Sequence, residues 1–185
     1  MILNIYFEIN GSLIDIKNIK DFHEQKDNID WYYFPGGIEI IDKQDRVILD
    51  RNVNVDIIPL FREFFLTIAG YYITYENQNN NYLKEKLCTS TTLYYGNIPK
   101  MTFSKYNDLF IEMNIYNSKS ESYSLIEDKN IFYEKFLEIS KIFVLKVPIM
   151  FPNREIETIQ LIENLINKIN NCLLYTSPSP RDLST

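Results

Sequence analysis

The sequence predicts an α+β domain: a mostly antiparallel sheet of about six or seven strands with about three helices packed on it. Two observations carry this. Several stretches alternate apolar and polar residues with the two-residue period of a half-buried strand, and three others repeat large apolar residues at spacings of three and four. An apolar share of 45% over 185 residues then supplies material for one packed core.

The elements follow in order. Ile5, Phe7 and Ile9 fall on one face of a first strand, with Asn4, Tyr6 and Glu8 on the other. Asn10-Gly11 is a two-residue hairpin signal, and residues 12–17 alternate again, with Ile14 and Ile16 inward and Asp15 and Lys17 outward. Residues 18–30 read as a polar loop. Trp31-Tyr32-Tyr33-Phe34 is an aromatic run suited to a pleated surface, and Pro35-Gly36-Gly37 reads as a turn that ends it. Residues 38–41 resume a strand. Asp42 to Asp45 form a hairpin loop, and residues 46–50 are the return strand.

The period then changes. Ile57, Phe61, Phe64, Phe65, Ile68 and Tyr72 make a helical stripe, with Asn54 or Asp56 as cap, Pro59 in the first turn and Gly70 as a C-cap. Residues 76–86 are the most loop-like stretch. Strands are expected at 89–95, 101–106 and 109–115, the last with Leu109, Ile111, Met113 and Ile115 on one face. Ser124 to Glu127 has capping-box spacing, with Asp128 and Asn130 as competing caps for a helix lined by Phe132, Phe136, Ile139 and Phe143. Val147-Pro148 is expected to leave that helix, so residues 144–150 have strand as their alternative. A third helix opens at Pro152-Asn153, with Ile156, Ile159, Ile162, Ile166 and Ile169 inward and Glu155, Glu157 and Glu163 outward.

Composition excludes several functions. Net charge is −6, and no run or face concentrates lysine and arginine, so a nucleic-acid partner is not expected. A basic protein partner suits this balance, as does simple solubility. No apolar run is long enough for a membrane-spanning helix, the N-terminus has no basic leader region, and Cys88 and Cys172 make no disulfide framework. A reducing cytoplasm is the expected compartment. Asn, Ile, Lys and Tyr are abundant and Ala69 is the single alanine, a bias of AT-rich coding sequence that removes asparagine as a functional signal.

No catalytic constellation stands out. His23, the one histidine, lies in the polar loop beside Glu24 with no nucleophile motif. Cys88 reads as a small buried hydrophobe, with Lys84 and Lys86 near it in sequence. Gly36-Gly37 lacks the pattern of a phosphate loop, and no Asp-x-Asp strand follows it as in a nucleotidyltransferase. No cofactor or metal set is expected. Asp42 and Asp45 are explained by turn chemistry before acid–base work. The candidate interaction surface is therefore Trp31, Tyr32, Tyr33 and Phe34, of which alternation turns two outward, together with Asp42 and Asp45.

Two resemblances add to this reading. Residues 172–182, Cys-Leu-Leu-Tyr-Thr-Ser-Pro-Ser-Pro-Arg-Asp, resemble the translated transposase adapter used to prepare sequencing libraries. That implies a native domain of residues 1–171 and a non-native, disordered tail over 172–185. The body, by its size, acidity, composition and aromatic-Pro-Gly-Gly run, resembles the small acidic α+β immunity proteins of bacterial polymorphic toxin systems. The resemblance implies a cytoplasmic binding protein that sequesters a basic toxin domain. A small carboxylate-dependent enzyme with His23 as helper and a structural or oligomeric subunit are the alternatives.

Overall fold

The computed structural model describes residues 1–19, 34–51, 55–72, 100–116, 122–151 and 156–176. Trp31, Tyr32, Tyr33, His23, Cys88, the strand expected at 89–95 and residues 177–185 lie outside the described residues. The chain is α+β as expected, but its strands form two antiparallel sheets where one was expected.

Strand β1 (Ile2–Ile9) and strand β2 (Ser12–Asp15) make the N-terminal hairpin. Asn10 and Gly11 both take positive φ, 52° and 75°, as its two-residue turn requires. The second strand stops two residues early, because residues 16–18 tighten into a single 3₁₀ turn that buries Ile16.

Strand β3 (Pro35–Ile41) pairs with the other side of β1. This corrects the turn expected at Gly36-Gly37: the pair lies inside the strand. The physical reason is close approach. A Cβ on Gly36 would overlap the carbonyl oxygen of Tyr6, and one on Gly37 would overlap that of Arg51. Here glycine serves because it has no side chain to collide with crossing backbone.

Strand β4 (Val47–Leu49) returns beside β3, and the two-residue strand β5 (Val55–Asp56) pairs with the start of β3. The order is β2-β1-β3-β4, with β5 also on β3. Helix α1 (Ile57–Tyr71) follows at once, capped by Asp56, whose carboxylate accepts from the Ile58 N–H. Gly70 is not its C-cap; it lies exposed inside the last turn, and the helix runs on past it.

Strands β6 (Lys100–Lys105), β7 (Phe110–Tyr116) and β8 (Ser122–Asp128) make the second sheet in that order. Ile111, Met113 and Ile115 are buried as expected, whereas Leu109 is exposed in the preceding loop. The stretch read as a capping box is β8, and Asp128 at its end is the cap, accepting from the N–H groups of Asn130 and Ile131.

Helix α2 (Lys129–Met150) runs unbroken through Pro148, so residues 144–150 are helix, not strand. Pro148 lies in the last turn on the exposed side, where one lost N–H bond and the ring are tolerated, and the Phe151 N–H still closes on the Val147 carbonyl. Helix α3 (Ile156–Thr176) buries Ile159, Ile162, Ile166 and Ile169, while Ile156 is exposed at its start. Its backbone continues five residues past the expected end of the domain, to Thr176.

One aromatic core joins these layers. Phe64 of α1 meets Phe103 of β6 edge-on, and Phe103 meets Phe132 of α2. Phe61 packs on Phe143 and Phe65 stacks on Phe136, fastening α1 to α2. Phe151 closes the far end against Phe7 of β1 and Phe34, the residue before β3. Each such ring removed from water is worth roughly 1.5–3 kcal/mol, so this core holds helices and sheets as one body.

Candidate functional site

Of the expected surface residues, Phe34 is in the core, with its ring centroid 3.9 Å from that of Phe151. Asp42 is buried within its own turn. Its carboxylate accepts from the Gln44 N–H at 2.7 Å, the Arg46 N–H at 3.0 Å and the Arg46 Nε at 2.6 Å. Burial works to raise the Asp42 pKa, but these bonds outweigh it and hold the carboxyl below its ordinary value. Asp45 is exposed at the turn, with φ 59°. Phe34 and Asp42 therefore leave the candidate surface and Asp45 stays on it.

The turn leads to the joint between the sheets, where β4 lies beside β8. Glu127 of β8 is 1% exposed there. Its Oε1 receives Lys43 Nζ at 2.6 Å and the Asp128 N–H at 2.9 Å, and its Oε2 faces the Met1 amine at 3.5 Å. The hydrogen bond to Glu127 raises the Lys43 pKa. A buried carboxylate thus clasps the two sheets from the inner side.

Outward-facing residues lie on both sides of this joint. On the first sheet Tyr6 donates to Glu39 Oε2 at 2.8 Å, and the Arg51 guanidinium lies 4.9 Å from the Tyr6 ring centroid. That cover explains why Tyr6, on the outward register, is buried. Desolvation first, and then the Glu39 carboxylate, raise the Tyr6 pKa. One step toward the joint, Ile2, Ile41 and Val47 sit opposite one another on three adjacent strands. Ile2 is 45% and Val47 50% exposed. Across the joint Ile126 is 44% exposed, next in the chain to Glu127. Beside it on β7, Glu112 accepts from Ser104 at 3.3 Å and Ser124 at 3.1 Å and pairs with no cation among the described residues.

A second concavity, an open groove of about 620 Å³, lies along α2 with Tyr133, Leu137 and Ile142 in its wall and Asn170 of α3 on its rim. Its carboxylate Glu138 already meets Lys135 at 3.0 Å and Lys17 at 4.0 Å. The Lys135 bond lowers the Glu138 pKa against a smaller opposing effect of burial. Glu134 and Lys141, of opposite charge, also line the groove. Among the described residues no group of three or more His, Cys, Asp or Glu side chains is placed to hold a metal ion, and no helix is long and apolar enough to cross a membrane.

Sequence reasoning missed the outward row. The signal was present: alternation that sends Asn4, Tyr6 and Glu8 outward also sends Ile2 outward, and Glu39 carries Ile41 with it. Compared with known protein families, curated proteins and solved structures, the chain matches none.

Proposed function

We propose that this protein is a binding protein that sequesters a basic protein domain, as immunity proteins do with toxins. The observation that supports the reading is how charge is distributed. Among the described residues Lys43 pairs with Glu127, Arg46 with Asp42, Arg51 with Glu39, Lys135 and Lys17 with Glu138, and Lys105 with Asp108, and Lys146 donates to the Ile19 carbonyl, while Arg62, Lys141 and Lys168 pair with no carboxylate. Glu8, Asp45, Glu112, Glu134, Glu157 and Glu163 pair with no cation among the described residues. The field left over for a partner is negative, which speeds and orients encounter with a basic surface. The compartment that goes with this reading is the cytoplasm.

The experiment is genetic. The gene's neighbours are cloned, and any toxin-like product is expressed with and without this chain. Restored growth together with a stable complex is the expected result. A locus with no toxin-like neighbour, or a neighbour whose toxicity this chain leaves untouched, contradicts the reading.

A further inference from the structure

We infer that the partner docks on the outward sheet face at the joint, and that the segment it inserts is amphipathic and basic, with aliphatic or aromatic side chains flanked by lysine or arginine. The inference rests on the binding reading above and assigns it a place. Ile2, Ile41 and Val47 are paired in register across three strands, with a register shift between Ile40 and Ile41, and Ile126 lies on the second sheet next to Glu127, which meets Met1 and Lys43. Ile2, Val47 and Ile126 are about half exposed and Ile41 is half-buried, so these side chains leave apolar surface in water, and covering it is favourable.

Charge decides what covers it. Glu112 lies in the same cross-strand row as Ile126, and Asp45 is exposed in the turn that leads into Val47. Neither meets a cation among the described residues, and Lys43 and Arg46, in the same turn as Asp45, are bonded to the buried carboxylates Glu127 and Asp42. A partner that buries Glu112 against apolar surface must bring a cation or leave a carboxylate unpaired, and the second alternative is costly. A second copy of this chain brings the same carboxylates to a two-fold contact and is disfavoured by like charge. The α2–α3 groove carries a carboxylate of its own that is unpaired among the described residues, Glu134, but its wall also holds the uncommitted cation Lys141, and Glu138 there is already paired.

The test uses the full chain, labelled with nitrogen-15 and titrated with a short peptide of alternating lysine and valine, and separately with the same peptide carrying glutamate for lysine. The expected result is binding of the lysine peptide alone, with amide shifts concentrated on β1, β3, β4, β7 and β8 near the joint. Val47→Ser and Glu112→Gln are expected to weaken it about tenfold each, in the range of single interface side chains, while Gln160→Ala, exposed on α3, leaves it unchanged. Val47 is half exposed and Glu112→Gln keeps an acceptor for the serines, so both variants retain the fold. Shifts centred on α2 and α3, with Val47→Ser neutral, overturn the placement and leave the basic-partner reading standing. No binding, or equal binding of the glutamate peptide, overturns both.

Discussion

Gly37 and Gly70 carry the same residue for opposite reasons, and substitution separates them. Alanine at Gly37 drives a methyl group into the Arg51 carbonyl, backbone that cannot swing aside. Urea unfolding of Gly37→Ala is expected to show a loss of more than about 3 kcal/mol, at the upper end of overpacking effects. Gly70 is exposed in a helix and a Cβ there meets nothing within 4 Å, so Gly70→Ala is expected to gain about 0.5–1 kcal/mol. Sequence reading assigned Gly37 to a turn and Gly70 to a helix C-cap, because glycine's freedom is visible locally. Close approach is not, since the atoms that approach belong to Tyr6 and Arg51, remote in sequence.

Asp42 gives a residue-scale prediction in pH. Its carboxyl pKa is lowered in the folded chain, so its contribution is fully present above the unfolded carboxylate pKa of about 3.9 and is lost as pH falls through the lower folded value. The stability difference between wild type and Asp42→Asn, followed by thermal unfolding, is expected to be constant from neutral pH down to that range and to shrink below it. A difference that shrinks already near neutrality contradicts the bonding seen in the turn.

At the scale of elements, legibility followed how local the determining contact is. The first hairpin was readable because Asn10-Gly11 sets its own turn, and α1 because its stripe and its Asp56 cap lie in one short segment. Strand β8 was missed because burial of Glu127 breaks the apolar alternation that marks a strand. Its charge is tolerated only because Lys43 and the Met1 amine, from elsewhere in the chain, reach it. Pro148 misled for a related reason: a proline ends a helix by its missing bond, but packing of Phe143, Val147 and Met150 carries α2 through. Alanine at Asp56 or Asp128 is expected to cost about 1 kcal/mol, the usual value of an N-cap, whereas Ser124→Ala, in the discarded capping box, leaves stability nearly unchanged by denaturant titration.

For the whole molecule, class was legible and the division into two sheets was not. Both sheets obey one alternation rule, and nothing local records which edge each strand joins. What makes them one body is the aromatic core beneath and the Glu127 clasp at the joint. Glu127→Gln and Lys43→Met are each expected to destabilise the fold. The double variant is expected to lose less than their sum, because a buried carboxylate without its cation is worse than neither group. Lys43 is 56% exposed, so its sensitivity distinguishes a clasp from an ordinary surface pair.

The docking surface proposed for this protein spans the joint, and the aromatic core and the Glu127 clasp that hold the joint make the two sheets one cooperative body. Hydrogen exchange read by mass spectrometry across a series of sub-denaturing urea concentrations tests this most directly. The amides of β1 and β3 are expected to lose protection at the same urea concentration as those of β6 and β7. Loss of protection in the second sheet at clearly lower urea, with the first sheet still closed, contradicts it.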